Sequence, residues 1–213
     1  MSFTGFPVAA LDFYDDLEMD NTRSFWEAHR TTYEESVKAP MTALIEELAP
    51  EFATEGRPAK VFRPYRDVRF SKDKTPYKTH QGGFVPAGPS WGWYVELSPR
   101  GVRAGAGIYE ASGERLAALR AAMADDRTGP ALSRTLTTLE KAGFEVGGER
   151  LKTSPRGYPA DHPRIALLRH KTIVVGRDHG FDPVIHTPEI GALVRRDWQA
   201  LRPLVTWVQR ALA

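Results

Sequence analysis

Apolar residues return along the N-terminal part of the chain at the spacing of an α-helix. Leu11, Tyr14 and Leu17 mark a first helix over residues 7–19, with Pro7 near its first turn. Asn21 is placed to cap a second helix through TRSFWEAHRTTYEESV. That helix sets Phe25, Trp26, His29, Arg30 and Tyr33 along two neighbouring stripes. Pro40 then begins a third. Met41, Leu44, Ile45, Leu48, Ala49 and Phe52 fall there at i, i+3, i+4, i+7, i+8 and i+11, a full amphipathic face.

The period changes in the middle of the chain. GGFVP reads as a short strand, and WGWYVELSPRGVRAGAGIYEA reads as a hairpin. Trp93, Val95 and Leu97 share one face, answered by Val102, Ala104, Ala106 and Ile108. SPRG supplies the turn, because Pro99 presets φ and Gly101 accepts a positive φ. Gly105 and Gly107 leave one face nearly bare, which suits close packing more readily than a ligand. Helical spacing resumes in SGERLAALRAAM, with Ser112 as cap, and in GPALSRTLTTLEKAG, from Pro130 to Gly143. VGGERLKTSPRGYPADHP reads as an ordered loop. Pro163 opens the short helix RIALLRH, a strand follows at KTIVVGRD, and the helices PEIGALVRRDWQAL and RPLVTWVQRAL close the chain. Leu201, Leu204, Val205, Val208 and Leu212 form one stripe of the last. Strands flanked by blocks of helices, without regular βαβ alternation, predict an α+β fold. Its sheet is mainly antiparallel or mixed, with N- and C-terminal helices packed on it.

Length and composition fit that picture. With 213 residues, 41% of them apolar, the chain suits a single domain over 1–213. Residues 1–56 supply N-terminal helices, 60–110 a basic motif and the β-hairpin core, and 111–213 helices with one further strand. The absence of cysteine removes disulfides, thiolate nucleophiles and Cys-ligated zinc, and it suits a reducing compartment. No apolar run approaches the roughly 18–20 residues of a membrane span, and the N-terminus lacks the form of a signal peptide. A soluble, cytoplasmic protein without membrane partners is the expectation.

Charge changes the picture at one place. KVFRPYRDVRFSKDKTPYKTH, residues 60–80, holds seven Lys/Arg against two acids, in a chain whose net charge is only +2. The rest of the protein therefore sums to about −3, and the basicity is local. Pro64 and the β-branched and aromatic neighbours argue against helix here. In an extended chain Arg63, Tyr65, Asp67 and Arg69 face one way while Arg66, Val68 and Phe70 face the other. An Asp between two Arg on one face reads as an ion-pair ladder, or as guanidinium groups pre-oriented to grip an anion. SKDKTPYK reads as a turn stiffened by Pro76.

The run R-x-x-R-D-x-R-F-S-x-D-K-x-P-Y-K, formed by Arg63, Arg66, Asp67, Arg69, Phe70, Ser71, Asp73, Lys74, Pro76, Tyr77 and Lys78, resembles the signature of the domain-of-unknown-function 2461 family. Upstream, Asn21, Trp26, Arg30, Tyr33 and Pro40 are similar to that family's pattern, as are LRHKTIVV and RPLVTWVQRAL downstream. The resemblance covers nearly the whole chain. It implies a single domain and lends no mechanism.

Function must then be read from chemistry. The expected site joins Arg63, Arg66, Arg69, Lys74 and Lys78 as donors to a small anionic ligand bearing phosphate or carboxylate. Asp67 would orient a guanidinium, while Ser71, Asp73 and Tyr77 add local hydrogen bonds. Arg30 and Tyr33 on the second helix are the upstream residues expected to reach the same cleft. The alternative is a structural ion-pair knot in a protein-interaction or nucleic-acid-binding module. Nucleic acid ranks below a small ligand, because the net charge is modest and Lys-rich tails are absent. No cofactor is expected. Asp67, Asp73 and Lys74 lack the spacing of a metal-dependent nuclease, the six histidines lack metal-ligand spacing, and no nucleophile elbow or phosphate-binding glycine loop occurs. No residue is assigned a catalytic role. Trp26, Trp93, Trp198 and Trp207 are expected in the core, with Trp91 the exception beside the hairpin mouth.

Overall fold

In a computed structural model describing residues 2–54 and 56–213, the chain folds as α+β around a six-stranded antiparallel sheet. The strands are β1 (Lys60–Val61), β2 (Gln81–Pro86), β3 (Trp91–Ser98), β4 (Gly101–Ile108), β5 (Glu145–Gly147) and β6 (Ile173–Asp178). Their order across the sheet is β1-β2-β3-β4-β6-β5. The helices are α1 (Val8–Met19), α2 (Arg23–Thr32), α3 (Ala39–Phe52), α4 (Gly113–Ala124), α5 (Thr128–Lys141), α6 (Ile165–Leu168) and α7 (Glu189–Ala211). The chain divides into two compact units. The first comprises residues 1–85, 94–104 and 178–196, and the second residues 86–93, 105–177 and 197–213.

Within the first unit, α3 covers β2. The side chains of Met41 and Ile45 lie so close over Gly83 that a Cβ there would meet them at 2.6–3.0 Å. Phe13 of α1 gathers Tyr14, Phe25, Trp26 and Tyr33 into an aromatic cluster, with ring centroids 5.3–6.0 Å apart. The N-terminal segment is laced to a 3₁₀ turn, Pro183–His186, through Phe6 N–H to the Ile185 carbonyl at 2.9 Å.

The second unit buries Leu119 and Met123 of α4 with Leu132, Leu136 and Leu139 of α5. Trp207 Nε1 donates to the Thr128 carbonyl at 2.8 Å, and the Trp93 and Trp198 rings sit 6.0 Å apart. Asp197, 1% exposed, pairs with Arg177 at 3.2 Å, and that guanidinium lies 4.1 Å from the Phe144 ring centre.

The structure corrects the sequence reading in five places. Thr22, not Asn21, caps α2, accepting the Phe25 N–H at 3.2 Å. The second and third helices are one continuous run joined by a π-helical stretch, Tyr33–Lys38. Pro40 has no N–H to give to Ser36, and Ala39 N–H reaches five residues back to Glu34. The last two helices are likewise one, with Pro203 inside α7. Residues 145–147, at the head of the expected loop, form the edge strand β5. Trp91 is buried, 7% exposed, with the other tryptophans.

The expected hairpin holds: β3 and β4 flank a two-residue turn, and Gly101 takes φ +99°. Among the described residues no helix is long and apolar enough to cross a membrane.

Candidate functional site

The basic segment leaves the sheet and returns to it as an irregular antiparallel excursion. At its foot Lys60 pairs with Phe84 and Val61 with Gly83. Farther out, Tyr65 bridges Tyr77, Arg66 N–H reaches the Pro76 carbonyl at 2.9 Å, and Lys78 N–H reaches that of Pro64 at 2.8 Å. Regular strand stops at Val61, because Pro64 and Pro76 cannot donate to a ladder. The extended alternation read from the sequence therefore survives only to Arg66.

Asn21 holds this excursion to the helices. Its Nδ2 donates to the Tyr77 carbonyl at 3.0 Å, and its Oδ1 accepts the Tyr77 N–H at 3.1 Å. The Tyr77 ring stacks on Trp26 with centroids 4.2 Å apart and planes 9° apart. Tyr33 lies behind. It is buried, and its hydroxyl donates to Gln81 Oε1 at 2.7 Å, while Gln81 Nε2 donates to the Phe62 and Gly82 carbonyls. Burial pushes the Tyr33 hydroxyl's pKa up, so it stays a neutral donor. Arg30, on the exposed side of α2, makes no side-chain hydrogen bond to a described residue.

In the outer part, the tip, both arginines are paired with acids. The Arg66 guanidinium donates to the Asp73 carboxylate and to Thr75 Oγ1. Asp73 also accepts the Thr75 N–H at 2.9 Å, and these bonds, the Thr75 amide first and Arg66 next, pull its pKa down to about 2. Asp67 takes Arg69 in a two-point grip, Nε at 2.9 Å and the terminal nitrogen at 2.7 Å, which lowers the Asp67 pKa. Lys74 Nζ donates to the Val68 carbonyl at 2.8 Å. Ser71 N–H turns back to the Val68 carbonyl at 3.3 Å. Phe70 stands 96% exposed between them.

The foot differs. Lys60 Nζ lies 5.1 Å from the Phe62 ring centre and 5.5 Å from that of Phe84; Lys78 Nζ lies 5.6 Å from Phe62. Lys78 donates to the Arg63 carbonyl at 3.1 Å. Neither lysine pairs with a carboxylate of a described residue, while the Arg63 charge helps to lower the Asp67 pKa. Burial first, and the Arg63 charge second, depress the Lys78 pKa. Beside Phe62, at 6.3 Å, stands Tyr94, whose hydroxyl donates to Glu96 Oε2 at 2.7 Å. His80 Nε2 lies 3.9 Å from the same oxygen. Gly82 lets the rings close, since a Cβ there would sit 2.7 Å from the Tyr94 hydroxyl and 3.0 Å from Phe62.

A family model described as a conserved hypothetical protein, DUF2461, matches residues 9–207. The chain belongs to this family. No curated protein matches it. The DUF2461 match spans both the tip and the foot of the excursion, and it assigns a role to neither.

Of the expected site residues, the structure brings Arg66 and Asp73 together in one knot, joined by Thr75, and Asp67 with Arg69 in another. Arg63 and Lys78 meet at the foot. Sequence reading passed over Lys60, Phe62, Tyr94 and Glu96 as parts of the same place. One signal was available: GGFVP and WGWYVELS read as neighbouring strands, so alternate residues of each can share a face, and the structure puts His80 near Glu96 and Gly82 near Tyr94. Among the described residues no three His, Asp or Glu side chains gather as metal ligands would.

Proposed function

We propose that the chain binds a small anionic ligand bearing phosphate or carboxylate, and that the ligand sits at the foot of the basic excursion. One observation carries this reading: Lys60 and Lys78 gather about Phe62, and neither pairs with a carboxylate of a described residue. Cations held close repel, and the Lys78 pKa is depressed by burial first and by the Arg63 charge second. An arriving anion offsets both. The aromatic rings beneath the ammonium groups exclude water on one side and raise the effective strength of each charge–charge contact.

At the tip a second reading applies. Arg66 and Arg69 already have Asp73 and Asp67, so this part acts as an ion-pair knot that shapes the turn. Anion affinity is accordingly expected to depend on Lys60 and Lys78 and to ignore Arg69. A thermal-shift titration with inorganic phosphate, sulfate and citrate tests it. An anion at a hundred times its dissociation constant adds about 2.7 kcal/mol to wild-type stability. That is several degrees for a chain of this size. The double variant Lys60→Ala/Lys78→Ala should lose the shift and Arg69→Ala should keep it. If no anion shifts the wild type, the reading fails.

A further inference from the structure

The cations at the foot account for one half of a patch whose other half is acidic and polar. Phe62 joins the two halves: Lys60 and Lys78 lie over it, and Tyr94 lies beside it. Beyond Tyr94 come Glu96 and His80. The Tyr94 hydroxyl and the nearer His80 nitrogen both address Glu96 Oε2, and Oε1 takes no hydrogen bond from a described residue. Nor does His80 spend a ring nitrogen on a hydrogen bond among them. Burial, then the neighbouring Glu96 charge, push the Tyr94 pKa up, so its hydroxyl stays a neutral donor that fixes the carboxylate. The Glu96 side chain is 20% exposed and that of His80 39% exposed, so both can be reached from solvent.

We propose that Glu96 and His80 form a second subsite, which takes the hydroxyl groups of a phosphorylated sugar. This rests on the anion-binding reading above and names the class of ligand. A carboxylate oxygen with free lone pairs accepts from a hydroxyl; a histidine nitrogen both donates and accepts. An aromatic ring between charge and carboxylate offers a flat apolar face, such as the C–H side of a sugar ring packs against. A bare phosphate or sulfate would use only the cationic half. A dicarboxylate would meet Glu96 as a like charge. An anion carrying neutral hydroxyls satisfies both halves at once.

Calorimetric titration of the intact chain with inorganic phosphate, ribose 5-phosphate, glucose 6-phosphate and fructose 6-phosphate tests the proposal. At least one sugar phosphate should bind about tenfold tighter than inorganic phosphate, the scale of one hydrogen bond to a charged group. Glu96→Gln should abolish that gain without weakening the binding of inorganic phosphate. His80→Asn, a change at a more exposed position, should reduce the gain and serves if Glu96→Gln fails to fold. Phosphate binding with no gain for any sugar phosphate overturns the hydroxyl subsite and leaves the anion site standing. A gain that survives both substitutions overturns it as well. Absence of binding by all four compounds overturns the anion reading and this one together.

Discussion

The tip and the foot of the basic excursion are built from the same residue types, a few positions apart, and pair their charges differently. At the tip each arginine has a carboxylate. Arg66 closes on Asp73 and Arg69 on Asp67, and both acids are held below the usual carboxylate range. At the foot Lys60 and Lys78 both lie against Phe62 and neither pairs with a carboxylate of a described residue; burial first, and the Arg63 charge second, lower the Lys78 pKa. Counting positive charges along the sequence treats these regions alike. What separates them is that both tip arginines have a carboxylate within hydrogen-bonding reach and the foot lysines do not. Satisfied charge is a means of shaping a turn, and unanswered charge held against aromatic rings is a means of binding.

The pair Arg177–Asp197 calibrates the comparison, because it is a charge pair on which the fold depends. Asp197 is 1% exposed and Arg177 is mostly covered, packed on Phe144 as well. Asp197→Ala leaves that guanidinium covered and without its carboxylate, at an expected cost of about 3–5 kcal/mol. Denaturant unfolding measures it. If the loss is no greater than for removal of a tip arginine, exposure does not distinguish structural pairs from incidental ones, and the contrast drawn above collapses.

Asn21→Ala sharpens it from another side. Two hydrogen bonds to the Tyr77 backbone disappear, worth about 2 kcal/mol together. The Trp26–Tyr77 stack remains to hold the excursion. Amide exchange should quicken at Tyr77 and Lys78 and stay unchanged in β3 and β4. Faster exchange throughout the sheet would mean that the excursion is not a separately clipped element.

How much of this could be read from residues alone follows the same line. The β3–β4 hairpin was readable to the residue, because its alternation and its Pro-x-Gly turn are local. The N- and C-terminal helices were readable as helices but not as continuous runs. Pro40 and Pro203 count as breaks in sequence logic, whereas a π-helical stretch and the packed length of α7 absorb them. Asn21 preceded a helix and so passed for a cap, while its actual partner lies 56 residues away. Local rules cannot see a bond of that span. The excursion was flagged by its composition, but the assignment of charge to partner was not. Arg66 with Asp73 depends on how the turn closes, and Glu96 with Tyr94 enters from another strand.

Asp73 offers a pH test of the tip. Its folded pKa, about 2, lies below the ordinary value of 3.8. The carboxylate therefore contributes stability that is present above about pH 4 and is lost as pH falls through the folded value. Asp73→Asn should flatten the acid limb of the stability curve slightly and leave neutral phosphate binding unchanged. A drop in phosphate affinity instead would assign Asp73 to the ligand site and erase the division between tip and foot.

Arg69→Ala is expected to do least, and it bears most directly on the division. The side chain is 77% exposed and that of its partner Asp67 50% exposed, so solvent screens the pair on all sides. Two residues of chain already hold Asp67 and Arg69 together, and the grip closes no long loop. Removing the guanidinium leaves the carboxylate free to turn to water, at no desolvation cost. The melting temperature should stay within the error of the measurement. Phosphate affinity should hold or fall only slightly, since Asp67 then remains as an uncompensated negative charge at the far end of the excursion. A large loss of binding with stability intact would show that the anion is gripped at the tip after all. A large loss of stability would make the tip a keystone of the fold, and the unanswered lysines at the foot would then be the part without a role.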